Sequence, residues 1–427
     1  MTLRRIAIAA LAFPLLAACV SDETLGTRGA PPVINPLFNS YVAIGTSIGA
    51  GIVSGGLDSS GQKAAYPYLL ARAMGLTPGV DWHWPKLDGA GCPAPYTNIV
   101  TKTRASTVAC GYRDPASAYA FVNNVSIPSL RLAQAENIWR LDFPSTDVLS
   151  LAQFITGGVN PLDLALRAQP TFVTLEVFMN DVLGAATRGD TMLLTRADSF
   201  QAQFTRIADK LDASGAKVAV ANAAYPTSAP RYSMAAVIFC LRYGGCPAPF
   251  PPATLPFSLA TFTVDATCSP AGAGLTTLVP FDATGGILGA LMAGGTASLN
   301  CGTGVVKAPG AIANADTLIV TTTAELAAIK TRVDAYNAFI LAQAGTRGWA
   351  LVDFKATLEG QASKIPVFPN LAAYPTITTP TTVPDTLMGT IFSQDGVHPS
   401  AAGQKIVANA FRAAINTKFG TAIPVIN

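Results

Sequence analysis

One of the two histidines in the 427-residue chain lies in the stretch 393–400, which reads SQDGVHPS. An imidazole can take a proton from a hydroxyl group, provided that an acceptor fixes its tautomer. Gly396 permits a tight turn in which the Asp395 carboxylate reaches Nδ1 of His398 and leaves Nε2 for a nucleophile. Pro399 is predicted to begin the last helix at its first position. A helix cap and a metal ligand are the alternative roles for His398.

A serine follows the first apolar run after residue 38, where that run meets a glycine-rich turn. Residues 41–45 read YVAIG and predict a buried strand, and residues 44–51 read IGTSIGAG. Ser47 therefore lies between strand and helix, with its hydroxyl projecting above the edge of a sheet. The helix that follows would direct backbone N–H groups at an adjacent oxyanion. The alternative is an ordinary tight turn of small residues.

An asparagine lies at the end of another apolar run, in the stretch 177–183, which reads VFMNDVL. There the Asn180 amide can donate a hydrogen bond to charge that develops on a carbonyl oxygen. Such a donor, when preorganised, lowers a barrier by about 2.7–4 kcal/mol. The alternative is that Asn180 and Asp181 are simply turn and helix-capping residues.

Strands and helices that could position these side chains alternate along the chain. Short apolar runs predict strands at 41–45, 119–125, 171–177, 217–222 and 349–354. Apolar residues spaced three and four apart indicate helices between them. Near-continuous apolar strands that alternate with helices predict an α/β fold with a parallel sheet of about five strands, covered on both faces.

Three helices have well-defined apolar faces. Their predicted inward residues are Phe200, Phe204, Ile207 and Leu211 in one, Leu326, Ile329, Val333, Tyr336 and Ile340 in a second, and Ile406, Ala410, Phe411 and Ala414 in the last. The spacing from Thr322 to Glu325 fits a capping box at the start of the second helix.

Two insertions interrupt the alternation, at about 80–118 and 240–313. The first contains Trp82 and Trp84, for which stacking on sugar rings and packing inside a disulfide-bonded loop are alternative roles. The second holds four cysteines and only four charged residues, and it is rich in glycine, alanine and proline. We expect it to form an irregular, disulfide-stapled excursion over the top of the sheet.

The N-terminal stretch MTLRRIAIAALAFPLLAACV has the features of a targeting segment. Two arginines precede thirteen mostly apolar residues, too few to cross a hydrocarbon core of about 30 Å as a helix. The sequence before Cys19 resembles a bacterial lipobox, which implies a signal peptide at 1–18, lipid attachment to Cys19 and a lipidated tether at 19–39. No aspartate follows Cys19, so we expect an exported lipoprotein of the cell envelope, anchored in the outer membrane.

Export to an oxidising compartment makes the other cysteines candidates for disulfides. They are even in number: Cys92, Cys110, Cys240, Cys246, Cys268 and Cys301. Six cysteines allow fifteen pairings, and closure between nearest neighbours gives 92–110, 240–246 and 268–301. A zinc site is the alternative, but the chain has no C-x-x-C pair and His83 has no partner at ligand spacing.

Composition limits the classes of partner. Charged residues make up 12% of the chain and the formal charge at pH 7 is +3, with Lys and Arg scattered along the sequence. A nucleic-acid-binding protein would show a basic patch, so nucleic acid is not an expected partner. We predict one domain over 40–427 that carries both insertions.

Each of the three motifs is common alone, but their order and positions together resemble SGNH, or GDSL-type, hydrolases. In that family block I carries a nucleophilic serine, and block V carries an aspartate and a histidine in a D-x-x-H-P motif. The resemblance covers about 40–225 and 320–418. It implies that Ser47 is the nucleophile, His398 the general base and Asp395 the group that orients it.

The same resemblance implies an oxyanion hole. Block III of the family contributes an asparagine, here Asn180, and block II falls at 124–130. Backbone N–H groups of Ser47 and Ser129 would complete the hole. The family fold is a flavodoxin-like parallel sheet between helical layers, and the chemistry requires no metal and no organic cofactor.

Three residues depart from the family pattern. Thr46 replaces the aspartate of the G-D-S motif, Ser129 replaces the block II glycine, and Phe178 replaces a glycine in block III. We expect Thr46 to hydrogen-bond locally, so that the serine turn survives. Ser129 keeps a backbone donor, and Phe178 is expected to narrow the site and make it more apolar.

These features predict a serine ester hydrolase that acts through an acyl-enzyme on a carboxylic ester at the cell envelope. The apolar insertion at 240–313 and Phe178 point to a lipophilic acyl chain. Related hydrolases remove acetyl groups from polysaccharides, so a glycan ester is an equal alternative. A noncatalytic envelope-binding lipoprotein that retains the scaffold is the alternative from another class.

Overall fold

A computed structural model of the chain describes residues 33–99, 102–108, 121–138, 146–244, 258–308, 317–319, 321–370 and 386–427. The predicted signal peptide, Cys19 and most of the tether lie outside these residues, as do Cys110 and Cys246. Among the residues described, no helix is both long enough and apolar enough to span a membrane.

Strands and helices are numbered separately in chain order. The strands are β1 Tyr41–Gly45, β2 Tyr96–Asn98, β3 Thr103–Arg104, β4 Phe172–Glu176, β5 Lys217–Ala221, β6 Tyr232–Met234, β7 Phe262–Val264, β8 Leu278–Pro280, β9 Ala297–Asn300, β10 Val305–Lys307, β11 Thr317–Ile319 and β12 Ala350–Val352. The helices are α1 Ser47–Ala50, α2 Ser59–Ala64, α3 Tyr66–Ala73, α4 Leu132–Glu136, α5 Thr146–Thr156, α6 Pro161–Arg167, α7 Asn180–Arg188, α8 Ala197–Ala213, α9 Ala235–Tyr243, α10 Phe281–Met292, α11 Thr323–Arg347, α12 Phe354–Glu359 and α13 Ala401–Phe419.

A parallel sheet of four strands, in the order β1-β4-β5-β12, carries the elements of the site. Its strands are short apolar runs that are buried almost throughout, as parallel strands covered on both faces require. Along β1 the side chains alternate: Val42 and Ile44 pack into one core, whereas Tyr41 and Ala43 pack into the other. The predicted α/β class and four of the predicted strands are confirmed.

The candidate strand at 119–125 does not form within its described part, 121–125. A single parallel bridge joins Ala43 to Asn124. The Asn124 carboxamide accepts a hydrogen bond from the Ser126 N–H at 3.1 Å and donates one to the Gly49 carbonyl at 3.0 Å. Three backbone hydrogen bonds still join the segment to β1, from the Ala43, Val125 and Ile127 N–H groups at 2.7–3.0 Å, but it forms no strand, so the sheet has four strands within the described residues rather than about five.

Helices cover both faces of the sheet. On one face α8 and α11 meet through stacked rings of Phe200 and Tyr336, whose centroids are 3.9 Å apart. On the other face α3 and α13 meet through Tyr66 and Phe411, with centroids 4.7 Å apart. All the inward residues predicted for α8 and α11 are buried, and the predicted capping box begins α11.

The last helix, α13, differs from its prediction. It begins at Ala401, and the Ser400 hydroxyl caps it by accepting a hydrogen bond from the Gly403 N–H at 3.2 Å. Pro399 therefore precedes the cap and is not the first helical residue. Of the predicted inward residues only Phe411 is fully buried, and the other three are half-buried. The fully buried positions are Gly403, Gln404, Ala408, Phe411 and Ile415.

In the first insertion, the two tryptophans belong to the core. Trp82 is fully buried and Trp84 nearly so, and they pack against Tyr41 and Tyr68. Rings enclosed in this way cannot stack on a sugar, so that alternative is wrong. Cys92, in the same insertion, is disulfide-bonded, and its predicted partner lies outside the described residues.

The second insertion is a folded unit across its described part, 258–308, so the prediction of an irregular excursion is wrong. With β11 it forms a four-stranded sheet in the order β11-β10-β9-β7, and α10 packs beside that sheet. Its strands have three or four residues, too few for a periodic pattern to be recognised in the sequence. The predicted disulfide Cys268–Cys301 is confirmed. Cys240 is also disulfide-bonded.

Candidate active site

Ser47 lies at the carboxyl edge of the central sheet. It is the first residue of α1, and only Thr46 separates it from the end of β1. Thr46 has an extended backbone, so the chain leaves the sheet and enters the helix within one residue. Gly51, with a φ of 91°, ends α1 after a single turn. Ser47 keeps 9% of its surface exposed and lines a cavity.

Two glycines in this turn are required by a close neighbour. A Cβ atom on Gly45 would lie 2.7 Å from the Oγ of Ser126, and one on Gly49 would lie 2.3 Å from it. Both distances are too short for a real contact. Ser126 is buried, so it has little space in which to retreat. The segment that contains Ser126 therefore packs directly against β1 and α1 only because both positions are glycine.

Two buried amide side chains hold α1 in place from opposite sides. Gln404 of α13 donates a hydrogen bond from Nε2 to the Ile48 carbonyl at 2.9 Å, and Asn124 donates to the Gly49 carbonyl at 3.0 Å. The Oε1 of Gln404 also accepts a hydrogen bond from the Tyr66 N–H at 2.9 Å. Gln404 thus connects the turn that carries Ser47 to α13, the helix that follows His398. A single glutamine within an apolar helical pattern gives no sign of this role in the sequence.

Asp395 organises the turn that carries His398. Its Oδ1 accepts hydrogen bonds from the N–H groups of Val397 and His398, both at 2.9 Å. Its Oδ2 accepts one from the Gly55 N–H at 2.7 Å and lies 2.8 Å from Nδ1 of the imidazole. Gly396 has a φ of 68°, and a Cβ atom there would lie 2.7 Å from the backbone of a neighbouring segment. The turn therefore requires the glycine that the motif contains.

Hydrogen bonds join Ser47, His398 and Asp395 in that order. The Nε2 atom of His398 lies 2.9 Å from the Oγ of Ser47, although the two residues are 351 positions apart in the sequence. An ionised carboxylate only accepts hydrogen bonds, so Nδ1 carries the ring proton and Nε2 offers a lone pair to the serine hydroxyl. This arrangement can move a proton from a hydroxyl to an imidazole as the oxygen attacks an electrophile.

The carboxyl group of Asp395 stays ionised inside the protein. Burial alone would raise the pKa of Asp395, but the His398 imidazole and hydrogen bonds from His398 and Val397 outweigh burial and hold that pKa well below its usual range. A carboxylate that stays charged in a buried place can stabilise an imidazolium beside it.

Thr46 binds a second buried carboxyl group, on β4. Its N–H donates to Oε2 of Glu176 at 3.2 Å, and its hydroxyl lies 3.0 Å from each oxygen of the same side chain. Burial raises the pKa of Glu176 to about 7, and the hydrogen bonds from Thr46 partly oppose that rise. Glu176 is not among the predicted site residues, although an acidic residue at the end of an apolar strand was a usable signal.

Asn180 is brought to the same cavity as Ser47 and His398. It is the first residue of α7, just beyond β4, and it donates a hydrogen bond from Nδ2 to the Leu130 carbonyl at 2.9 Å. That bond orients the carboxamide and leaves a second Nδ2 hydrogen. Ser129 precedes Leu130, has a φ of 62° and does not line this cavity. A positive φ is the conformation that glycine, the residue of the family pattern, adopts freely.

Asp181 and Phe178, the neighbours of Asn180, have structural roles. Asp181 is buried and accepts hydrogen bonds from the Leu132 N–H at 3.0 Å and the Thr195 hydroxyl at 2.6 Å. Phe178 packs in the core against two rings of α8 and does not line the cavity beside Ser47. The expectation that Phe178 narrows the site is wrong, because its ring points beneath the sheet edge rather than out of it.

An apolar cavity of about 110 Å³ opens beside Ser47. Asn180 and His398 also line it. The rest of its wall is mostly apolar and comes from α7, α12, α13 and the loops between elements. Apolar side chains in that wall include Met179, Phe354, Leu358, Phe392, Ile406 and Val407.

A larger and more polar cavity, of about 650 Å³, lies on the other side of His398. His398, Val397 and Leu183 line both cavities, whereas Ser47 lines only the apolar one. Polar side chains of this second cavity include Thr187, Arg231, Asp282 and Asp395. One of its walls is α10, which belongs to the second insertion.

No group of three or more His, Cys, Asp or Glu side chains within the described part of the chain is placed to hold a metal ion. Both ring nitrogens of His398 have side-chain partners, namely Ser47 and Asp395. Comparison with known proteins adds nothing to this geometry: no family model and no curated protein matches the chain.

Proposed function

We propose that the protein is a serine ester hydrolase of the SGNH, or GDSL, type that acts through an acyl-enzyme. The observation that carries the proposal is the hydrogen-bonded series Ser47–His398–Asp395, with distances of 2.9 and 2.8 Å. A hydroxyl, an imidazole and a buried carboxylate in this order are the groups that nucleophilic acyl transfer needs.

Acylation begins when the Oγ of Ser47 attacks the ester carbonyl carbon and its proton passes to Nε2 of His398. Asp395 keeps Nδ1 protonated and stabilises the imidazolium. The imidazolium then gives its proton to the alcohol oxygen, the carbon–oxygen bond to the alcohol breaks, and the acyl group remains on Ser47. In the second half-reaction His398 takes a proton from water, which attacks the acyl carbon, and the acid leaves as Ser47 regains its proton.

The oxyanion of each tetrahedral intermediate would be bound by Asn180 and by the backbone N–H groups of Ser47 and Ser129. The second Nδ2 hydrogen of Asn180 supports this assignment, because its carboxamide is already oriented by Leu130 and lines the cavity beside Ser47. Loss of one such donor costs about 10²–10³ in kcat in enzymes of this chemistry.

The strand order supports a flavodoxin-like fold within this proposal. If the segment 121–125 is counted as an edge beside β1, the core order becomes 2-1-3-4-5, which is the flavodoxin order. In such sheets ligands bind at the carboxyl ends of the strands where the order reverses. That point lies between β1 and β4, the strands that precede Ser47 and Asn180.

We also propose that the enzyme is exported, lipidated on Cys19 and anchored in the outer membrane, where it meets ester substrates of the envelope. The support is the N-terminal sequence with its lipobox-like end. The scattered basic residues give no support to a nucleic-acid partner, and the proposed chemistry uses no cofactor.

A fluorophosphonate probe tests the catalytic proposal directly, because it reacts with activated serine hydroxyls. We expect covalent labelling of the wild type at Ser47 and none of a Ser47→Ala variant, which should keep its fold and lose turnover of p-nitrophenyl butanoate. Ser199→Ala is the matched control, since Ser199 lies on α8 and lines neither cavity. A folded wild type that is inert to both probe and ester would favour the noncatalytic binding lipoprotein instead.

A further inference from the structure

We propose, on the basis of the proposed function, that the substrate is an ester of a short or medium acyl chain with a bulky, hydroxyl-bearing alcohol such as a sugar. The apolar cavity beside Ser47 is the acyl arm of the site. The polar cavity walled by α10 is the alcohol arm, so the second insertion selects the alcohol.

The direction of proton transfer determines which cavity binds the acyl group and which binds the alcohol. The imidazolium of His398 must hand its proton to the alcohol oxygen, so the alcohol has to leave on the histidine side of the bond that breaks. His398 lines both cavities, and the polar cavity is the one that reaches His398 without including Ser47. The apolar cavity contains Ser47 together with Asn180, beside which the acyl carbon and its oxyanion must lie.

The size of the acyl arm limits the acyl chain. The apolar cavity has a volume of about 110 Å³, which leaves space for only a small group. The wall has no charged side chain among its residues. The arm therefore suits a short or medium acyl group, and longer acyl chains should gain nothing further.

The alcohol arm has the chemistry of a hydroxyl-binding site. At about 650 Å³ it is several times larger than the acyl arm and within the range of small-molecule sites. Arg231 forms an ion pair with Asp282 in its wall and donates a hydrogen bond to the Asp395 carbonyl at 3.2 Å. The Thr187 hydroxyl lies 3.0 Å from the Tyr232 hydroxyl. These charged and hydroxyl groups, together with Lys102, which also lines the arm, can exchange hydrogen bonds with a polyol.

The second insertion supplies one wall of the alcohol arm through α10. Phe281 and Asp282 begin this helix, and Gly285, Gly286 and Gly289 face the cavity from its next turns. A Cβ atom on Gly285 would meet no atom within 4 Å. A larger side chain at Gly285 would therefore fill the arm without a clash inside the protein.

The experiment compares two butanoate esters of equal ring size. One alcohol is the 6-hydroxyl of methyl glucoside, and the other is cyclohexylmethanol, which lacks the ring hydroxyls. We expect the wild type to favour the glucoside ester by at least tenfold in kcat/KM. Gly285→Leu should lower that ratio at least fivefold, and Gly285→Ala should lower it less.

Gly345→Leu is the matched control, because Gly345 is exposed on α11 and its Cβ would also meet nothing within 4 Å. It should leave the ratio unchanged, and thermal melts should show that all variants fold. The inference is overturned if the wild type prefers the cyclohexylmethyl ester, or if Gly285→Leu leaves the ratio unchanged, while Ser47 still cleaves p-nitrophenyl butanoate. Failure to cleave any ester, with no probe labelling, would overturn the proposed function as well.

Discussion

At the scale of single residues, Asp395 both builds a turn and orients a base. The two carboxylate oxygens of Asp395 accept hydrogen bonds from three backbone N–H groups and from the imidazole of His398. These four hydrogen bonds use the four in-plane lone pairs of the carboxylate. The Asp395 carboxylate therefore determines both the conformation of the turn and the negative charge beside His398. Substitution of Asp395 by asparagine, which has nearly the same size and shape, tests the contribution of the negative charge.

Asp395→Asn should lower kcat by about 10³–10⁴ with little change in KM. The N–H groups of Val397 and His398 hold the oxygen of the amide, so its NH2 group faces Nδ1 of His398 and favours the tautomer with an unprotonated Nδ1. Steady-state kinetics on p-nitrophenyl butanoate measure both constants. Asp209→Asn serves as the control, since Asp209 is an exposed residue of α8 that forms an ion pair with Arg347 of α11. Equal kcat values for Asp395→Asn and wild type would contradict the orienting role.

Glu176 gives the folded state a dependence on pH. Its pKa is raised from 4.5 to about 7, so between these values the folded protein keeps a proton that the unfolded chain has released. Stability from this group is complete below pH 4.5, is lost as the pH rises to about 7, and the loss amounts to about 3 kcal/mol. Tyr41 and Tyr66, the other titratable groups in this part of the core, have raised pKa values because they are buried, and they stay neutral throughout the window.

In Glu176→Gln that loss should disappear, because glutamine resembles the protonated acid and does not titrate. Free energies of unfolding measured with denaturant at pH 5 and pH 8 provide the comparison. We expect the wild type to lose more stability over this interval than the variant, by about 2.5 kcal/mol, since part of the loss has already occurred at pH 5. Parallel pH dependences in the two proteins would show that the buried carboxyl group is not the cause.

The residues of the proposed catalytic site could be recognised in the sequence because each lies in a short motif whose spacing fits the proposed role. Ser47 follows a strand, and the three-residue spacing from Asp395 to His398 fits a turn. Gln404 and Glu176 could not be found in the same way. Their roles come from hydrogen bonds to Ile48 and Thr46, partners that are distant in sequence and that become neighbours only after folding.

At the scale of elements, the turn that contains α1 depends on the absence of side chains at Gly45 and Gly49. Gly49→Ala should destabilise the protein by about 1–3 kcal/mol, because its Cβ would overlap Ser126 at 2.3 Å. The double variant Gly49→Ala/Ser126→Gly removes the obstructing side chain and should recover most of that loss. Thermal or denaturant unfolding of the four members of the cycle measures the coupling. Additive effects would mean that the overlap is relieved by backbone movement instead.

Elements with a long periodic pattern were predictable, and short ones were not. The apolar faces of α8 and α11 extend over several turns, so the period is clear in the sequence. In α13 a buried glutamine occupies an inward position and Ile406 faces the acyl arm, so the apolar residues alone indicate the wrong face. The strands of the second insertion are three or four residues long, and their pairing depends on contacts that no local pattern encodes.

At the scale of the whole molecule, the disulfide Cys268–Cys301 holds together the unit that contains α10. Closing a loop with a separation of 33 residues stabilises a chain by about 4 kcal/mol in the entropic account. We expect a Cys268→Ser/Cys301→Ser variant to loosen this unit. It should then lose preference for the glucoside ester while still cleaving p-nitrophenyl butanoate.

The kinetic ratio of the two butanoate esters, measured beside the melting temperature, checks this expectation. Loss of all activity together with the ratio would instead mean that the insertion and the central sheet fold as one cooperative unit. That outcome is physically possible because apolar residues of β7 and β9 belong to the same core as the helices of the central domain.

The 351 positions between Ser47 and His398 have a consequence in time. A polypeptide emerges from the ribosome, and threads through a translocation pore, from its amino end. For most of the time that the chain is being made, Ser47 is therefore present without His398. Under the proposed function, the growing chain has no complete Ser47–His398–Asp395 triad and cannot hydrolyse esters until about the last tenth of the protein has been made and has packed against the sheet.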